Sequence, residues 1–160
     1  MQHTPREMSE LVKATTHGLR RMRALITSLS ADSLYRVLAN GWTVAGTLAH
    51  LAFWDHWVEA RWNHFSRTNS FHDLPDDLPD LINEAATAQW HALPPRETVR
   101  LCLDAAVSVT RRIECLSSQH IGAAVETGRL AMVDRTLHWY PHLDKINRAT
   151  MNGELSTDDV

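Results

Sequence analysis

A chain of 160 residues can bury one sizeable core and is too short for two domains of ordinary size. Its sixteen basic and nineteen acidic side chains are interspersed and leave a net charge of -3, with no basic stripe for nucleic acid and no polybasic segment for an anionic membrane. No apolar run nears the roughly eighteen residues that span a bilayer, and Met1 to Glu7 lacks the apolar centre of a signal peptide, so the expectation is a cytoplasmic protein with neither nucleic acid nor membrane as partner.

The first helix is signalled by Thr4 as cap, Pro5 at the first helical position and Glu7 three residues after Thr4, a capping box. Met8, Leu11, Thr15, Leu19, Met22, Ile26 and Leu29 then recur at helical spacing, so this helix is expected to reach about Leu29. A connection from Ser30 to Gly41 follows, with a single helical turn at Asp32 to Leu38 and a turn at Asn40-Gly41, where Gly41 can take a positive φ. Thr43 caps the second helix, expected to run to about Ser66. Its first half is apolar on nearly every side and must therefore be enclosed by other elements.

Arg67 to Pro79 reads as a loop, and the third helix comes in two parts, Asp80 to Ala92 and Pro95 to about Ser118, parted by Pro94-Pro95. Val99, Leu103, Ala106, Val109, Ile113 and Leu116 mark the expected buried side of the second part. Cys102 and Cys115 fall on it, about 20 Å apart along the axis, too far to pair; reduced, buried thiols are expected. Gln119 to Gly128, with two glycines, reads as a loop. The fourth helix spans about Arg129 to Thr150, with Leu130, Val133, Leu137, Tyr140 and Ile146 as packing residues, and 151–160 as a flexible polar tail. No stretch alternates apolar and polar residues in the manner of a strand, so the fold class is all-α, a four-helix bundle filling one domain over 1–150.

Chemistry concentrates in two of these helices. His138 and His142 stand four apart, on one face of a helix, and His50 lies within the most enclosed apolar stretch of another. One imidazole from one helix and an i, i+4 pair from a second give three neutral nitrogen ligands with coordination positions left open, the ligand count of a catalytic zinc-type site. The competing reading makes these histidines hydrogen-bonded core. His3, His17, His56, His64, His72, His91 and His120 read as solvated or structural. Pro141 removes a hydrogen bond to Leu137 and is expected to kink the last helix between the paired histidines, or else the helix breaks at Tyr140 and the i, i+4 alignment is lost. The pair has the spacing of the zincin HExxH but carries Trp139 where that motif has its glutamate, and Glu-x-x-His pairs of di-iron bundles are absent.

Trp42-Thr43-Val44 followed by Leu48-Ala49-His50-Leu51-Ala52-x-Trp54-Asp55, with His138-x-x-x-His142 on a late helix, resembles the DinB/YfiT-like superfamily of metalloenzymes. The resemblance implies an up-down-down-up four-helix bundle, often a homodimer, with a divalent metal such as zinc or nickel held by His50, His138 and His142. It also implies a small-molecule substrate and, in some relatives, a low-molecular-weight thiol cosubstrate such as mycothiol or bacillithiol. The expected activity is that of a metal-dependent thiol S-transferase or isomerase, or a hydrolase. The alternative is a non-catalytic helical dimerisation module whose metal is structural or absent. Asp55 either orients the second nitrogen of a ligand histidine or pairs with an arginine such as Arg61 or Arg135, and Trp54, Trp57, Trp139 and Tyr140 either wall the pocket or are plain core.

Overall fold

The structure is a computed structural model that describes residues 4–151; His3 and the expected tail beyond Met151 lie outside the described residues. The described residues are all helical, with no strand among them and one isolated bridge between Val37 and Thr43. Helix α1 runs Pro5–Ser28, α2 Val44–Thr68, α3 Leu78–Ala92, α4 Pro95–Glu114, α5 Ser118–Glu126 and α6 Thr136–Met151, with 3-10 turns at Asp32–Tyr35 and Leu130–Met132. None of these helices is long and apolar enough to cross a membrane.

The long helices start where their caps lie. The Thr4 hydroxyl accepts from the Glu7 N–H while Glu7 reaches back to the Thr4 N–H, and Thr43 caps α2 by accepting from Gly46 N at 2.9 Å. Pro95 opens α4 at a position where its missing N–H costs nothing. Left-handed backbone at Asn69 closes α2, and Gly41 takes φ 84° in the turn before it.

Helix α2 is the axis of the molecule. Every residue from Val44 to Ala52 is buried, as its all-round apolarity requires, because α4 packs along it, α3 covers another side, and α1 joins α4 and α6 around the same core. Leu48, Leu51, Trp62, Val109, Ile113, Leu143 and Ile146 are fully buried there, and each contributes about 1.5–3 kcal/mol of apolar transfer.

Three expectations need correction. Residues 118–126 form α5 rather than a loop: the Ser117 hydroxyl accepts from His120 N, and Ile121, Ala124 and Val125 give the turn an apolar side that outweighs the glycine inside it. The last helix begins at Thr136, seven residues later than expected, because Asp134 Oδ1 accepts from Thr136 N at 2.9 Å and fixes the start there. Its inward residues are Trp139, Leu143 and Ile146, while Leu137 is 54 % exposed. Finally, Cys102 is buried but Cys115, as the cap residue ending α4, is exposed. On α4 the buried side comprises Thr98, Cys102, Ala105, Ala106, Val109, Thr110 and Ile113, with Val99 and Leu103, and Leu116 just beyond the helix end, only partly covered.

Helix α1 meets α6 closely at Gly18. A Cβ there would stand 2.5 Å from the Thr136 methyl and 3.2 Å from the Trp139 ring. Neither wall can yield easily, since the Thr136 hydroxyl is bonded to Asp134 and the Trp139 indole to Asp55. Gly18→Ala would gain about 1 kcal/mol of helix propensity and lose about 1–3 kcal/mol to overpacking. The steric term should win, so the urea midpoint is expected to fall; a midpoint at or above wild type would contradict the close approach.

Candidate metal centre

Helix α2 supplies His50 and, five residues on, Asp55; α6 supplies His138, Trp139 and His142, with Arg135 just before its first turn. The start of α6 is tied to α1 by Thr15, whose hydroxyl donates to Val133 O at 2.8 Å and accepts from Arg135 N at 2.9 Å. Helix α6 runs unbroken through Pro141, so His138 and His142 keep their i, i+4 alignment, and Pro141 itself is exposed. The helix does not break at Tyr140.

These elements bring the three histidines together. Ring centroids lie 5.2 Å apart for His50 and His138, 4.7 Å for His50 and His142, and 5.1 Å for His138 and His142. One nitrogen from each ring can be chosen so that all three lie within 4.8 Å of one another. Two nitrogens bound tetrahedrally to one zinc-type ion at about 2.1 Å stand about 3.4 Å apart, so a pair at the 4.8 Å limit has to close by about 1.4 Å. The donor chemistry also fits. Burial lowers His50 to about 3, helped by the charge of His142; burial and then Arg135 lower His138 to about 2; burial and then Lys145 lower His142 to about 4. All three rings are therefore neutral near pH 7, the form that binds a cation. The Nδ1 atoms of His50 and His142 are buried without a hydrogen-bond partner, an arrangement that favours anything supplying one.

Behind the rings lies a buried ion pair. Asp55 is fully buried; its Oδ1 accepts from Arg135 Nε at 2.9 Å, and both carboxylate oxygens lie 3.0 Å from Trp139 Nε1. Burial pushes this carboxyl up from its usual range, while Arg135 and Trp139 draw it back down. Arg135 Nη2 in turn stands 3.0 Å from His138 Nδ1, and Nη1 donates to Ala131 O. Of the two expected roles for Asp55 the arginine pair is the one present. It is made with Arg135 rather than Arg61, and Asp55 reaches a histidine only through that guanidinium.

The rings face a cavity of about 380 Å³, whose other walls include Trp42, Trp54, Pro79 and Asn83. Trp54 donates to Asn83 Oδ1 at 2.9 Å, linking α2 to α3 at its rim. Trp57 lines an adjoining cavity with Trp54 and His138. Trp139 and Tyr140 are not walls of either cavity. Trp139 is core, turned inward by its bond to Asp55, and Tyr140 lies under the Arg21 guanidinium, 4.4 Å from ring centroid, on the α1 side of α6. Of the other described histidines, His64 packs on His72 and His120 on Phe65, while His56 contacts Glu59.

Sequence reasoning named Arg135 only as an ion-pair candidate, quoted Trp42 only as part of the motif before α2, and gave Trp90 and Asn83 no role at the site. Trp42 precedes α2 and Trp90 lies on α3, yet both rings pack on His50, at 4.9 and 5.1 Å. No periodicity within α2 or α6 points to them, because the contact is made between elements.

Compared with known families, residues 15–141 match the family model described as the mycothiol maleylpyruvate isomerase N-terminal domain. No curated protein and no solved structure matches the chain.

Proposed function

The chain belongs to the mycothiol maleylpyruvate isomerase N-terminal domain family, a DinB/YfiT-like family, and from that premise we propose that His50, His138 and His142 hold one divalent cation, zinc or nickel, in an enzyme acting on a small molecule. The reaction class is transfer or isomerisation dependent on a low-molecular-weight thiol such as mycothiol. The observation that carries this reading is the convergence of three neutral, largely buried imidazoles on one wall of a cavity. A cation held there supplies Lewis acidity and lowers the pKa of a bound thiol or water toward neutrality.

The protein's own residues do the rest. Trp42 and Trp90 pack His50 in place, and Asp55 holds Arg135 against His138. A guanidinium only donates, so His138 Nδ1 accepts and the neutral ring carries its proton on Nε2, which faces His50 Nε2 at 3.2 Å. Ligation through that Nε2 requires the proton to move to Nδ1 and Arg135 Nη2 to release it. His138 is thus the ligand with the highest cost, and Arg135 tunes how tightly the cation is held. The cavity supports the catalytic reading over the dimerisation module, because a purely structural site needs no open space beside its ligands.

The test is metal analysis of protein purified without a histidine tag. About one divalent ion per chain is expected, falling to near zero in His142→Ala at unchanged helical content. Full stoichiometry in that variant would remove His142 from the ligand set.

A further inference from the structure

A cavity of about 640 Å³ lies away from the histidines, between α5, the last turns of α2 and the start of α1. Phe65, which lines it, follows His50 by fifteen residues on α2, about 22 Å along the axis. Among the described residues that line it, only Arg129 also borders the tryptophan-lined cavity beside His138, and none borders the cavity that the three rings face.

Its walls are built in advance. Phe65 is buried and stacks on Phe71, with 4.3 Å between ring centres and 24° between planes, and the Arg129 guanidinium lies 5.0 Å from the centre of the Phe71 ring. Val125 and the adaptable Met8 extend this apolar surface. Gly122, in the middle of α5, borders the same space. It carries no positive φ, and a Cβ built there would meet nothing within 4 Å. The close approach of α6 requires Gly18, but neither turn nor packing requires Gly122, which weakens a helix of only nine residues. What its missing side chain preserves is the volume of this cavity.

The charges narrow the occupant. Arg129 is engaged: its Nε donates to Asp73 Oδ1 at 2.9 Å and its Nη2 to Oδ2, on a carboxylate that Arg61 Nη2 shares at 3.2 Å, and its Nη1 donates to Thr127 O. Glu126 is exposed and adds a negative charge to the lining. An anion therefore meets a repelling carboxylate and an occupied guanidinium, while a cation meets the charge of that guanidinium. Asn69 and Gln119, both exposed, supply neutral amides that donate and accept alike.

We propose that this cavity is a second binding site, for an uncharged, largely apolar small molecule with a hydrogen-bonding group, whose body rests on Phe65, Phe71 and Val125 in the space left by Gly122. The volume is within the range of small-molecule sites. The site stands independently of the metal centre.

Fluorescence titration with N-phenyl-1-naphthylamine, an uncharged probe that brightens on leaving water, tests this on the full chain. Saturable binding of about one probe per chain is expected, unchanged by zinc. Gly122→Leu and Gly122→Gln enter the space without meeting a neighbour at Cβ, so both should fold, with urea midpoints at or above wild type. Both should weaken probe binding by about tenfold. Trp57→Ala, in the tryptophan-lined cavity, should leave it unchanged. The sulfonated analogue 1-anilinonaphthalene-8-sulfonate should bind more weakly, and Glu126→Gln should recover part of the difference. Absence of saturable binding, indifference to both glycine substitutions, loss in Trp57→Ala instead, or equal binding of the sulfonate would overturn the proposal. Probe binding that dissolves a dimer in sedimentation velocity would overturn it too, by giving this face to a second copy of the chain.

Discussion

Asp55→Ala is expected to cost the fold about 3–5 kcal/mol, a large share of the roughly 5–15 kcal/mol that stabilises a domain of this kind. The magnitude follows from what the substitution strands. Asp55 is fully buried and Arg135 is 3 % exposed, so the guanidinium would be left charged in the interior with Ala131 O and His138 as its only partners. Trp139 Nε1, whose two contacts both go to Asp55, would lose its acceptor at the same time. Asp55→Asn retains the shape and one acceptor oxygen for Trp139, yet sets an amide where the charge was, so an intermediate loss of about 2 kcal/mol is expected. The double substitution Asp55→Leu with Arg135→Met should recover most of the deficit, since an apolar pair of similar volume removes both desolvation costs. Urea unfolding of wild type, Asp55→Leu, Arg135→Met and the double variant closes the cycle and gives the coupling. A loss below about 1 kcal/mol in Asp55→Ala would show that the pair is open to water and does not anchor α6 to α2.

How much of this was legible in the sequence depended on whether the signal lay within one helix or between helices. The capping box at Thr4, the Thr43 cap, the Pro94-Pro95 break and the enclosed stretch Val44 to Ala52 are local patterns, and each sits where the chain alone predicts. The convergence of His50 with His138 and His142 was also readable, because an i, i+4 pair and a lone histidine in an enclosed segment have few other places to go. The errors arose where two local signals competed. Gly122 and Gly128 argued for a loop, but Ser117 and the Ile121, Ala124, Val125 side argued for a helix, and burial decided in favour of α5. The start of α6 was hidden because Leu130 and Val133 continue an apolar period that Asp134 interrupts. The Asp55–Arg135 pair, the Trp42 and Trp90 contacts on His50 and the Arg61–Asp73–Arg129 group are long-range encounters for which no spacing rule exists.

Metal-free protein is expected to lose stability steeply as pH falls from 6.5 toward 5. The folded-state values of His50, His138 and His142, about 3, about 2 and about 4, all lie below the ordinary 6.5 of the unfolded chain. Between those limits the unfolded chain binds protons that the fold refuses, so stability is complete above 6.5 and declines with acidification. At pH 5 the unfolded state gains about 2 kcal/mol per imidazole, or about 6 kcal/mol for the three, which is comparable to the whole stability of a domain. His64, lowered by desolvation and by His72, acts in the same direction. Ordinary carboxylates titrate lower, near pH 4, so they do not produce this loss. Urea midpoints measured in half-unit steps from pH 7.5 to 5 should yield a slope approaching three protons for wild type and about one fewer for His138→Gln. Loading with zinc should move the decline to lower pH, because a cation on the same nitrogens must be displaced before they protonate. Stability that stays level from pH 7 to 5 in the metal-free protein would mean that the rings accept protons while folded, and a cluster able to do that would not be the water-poor, cation-ready wall on which the proposed chemistry depends.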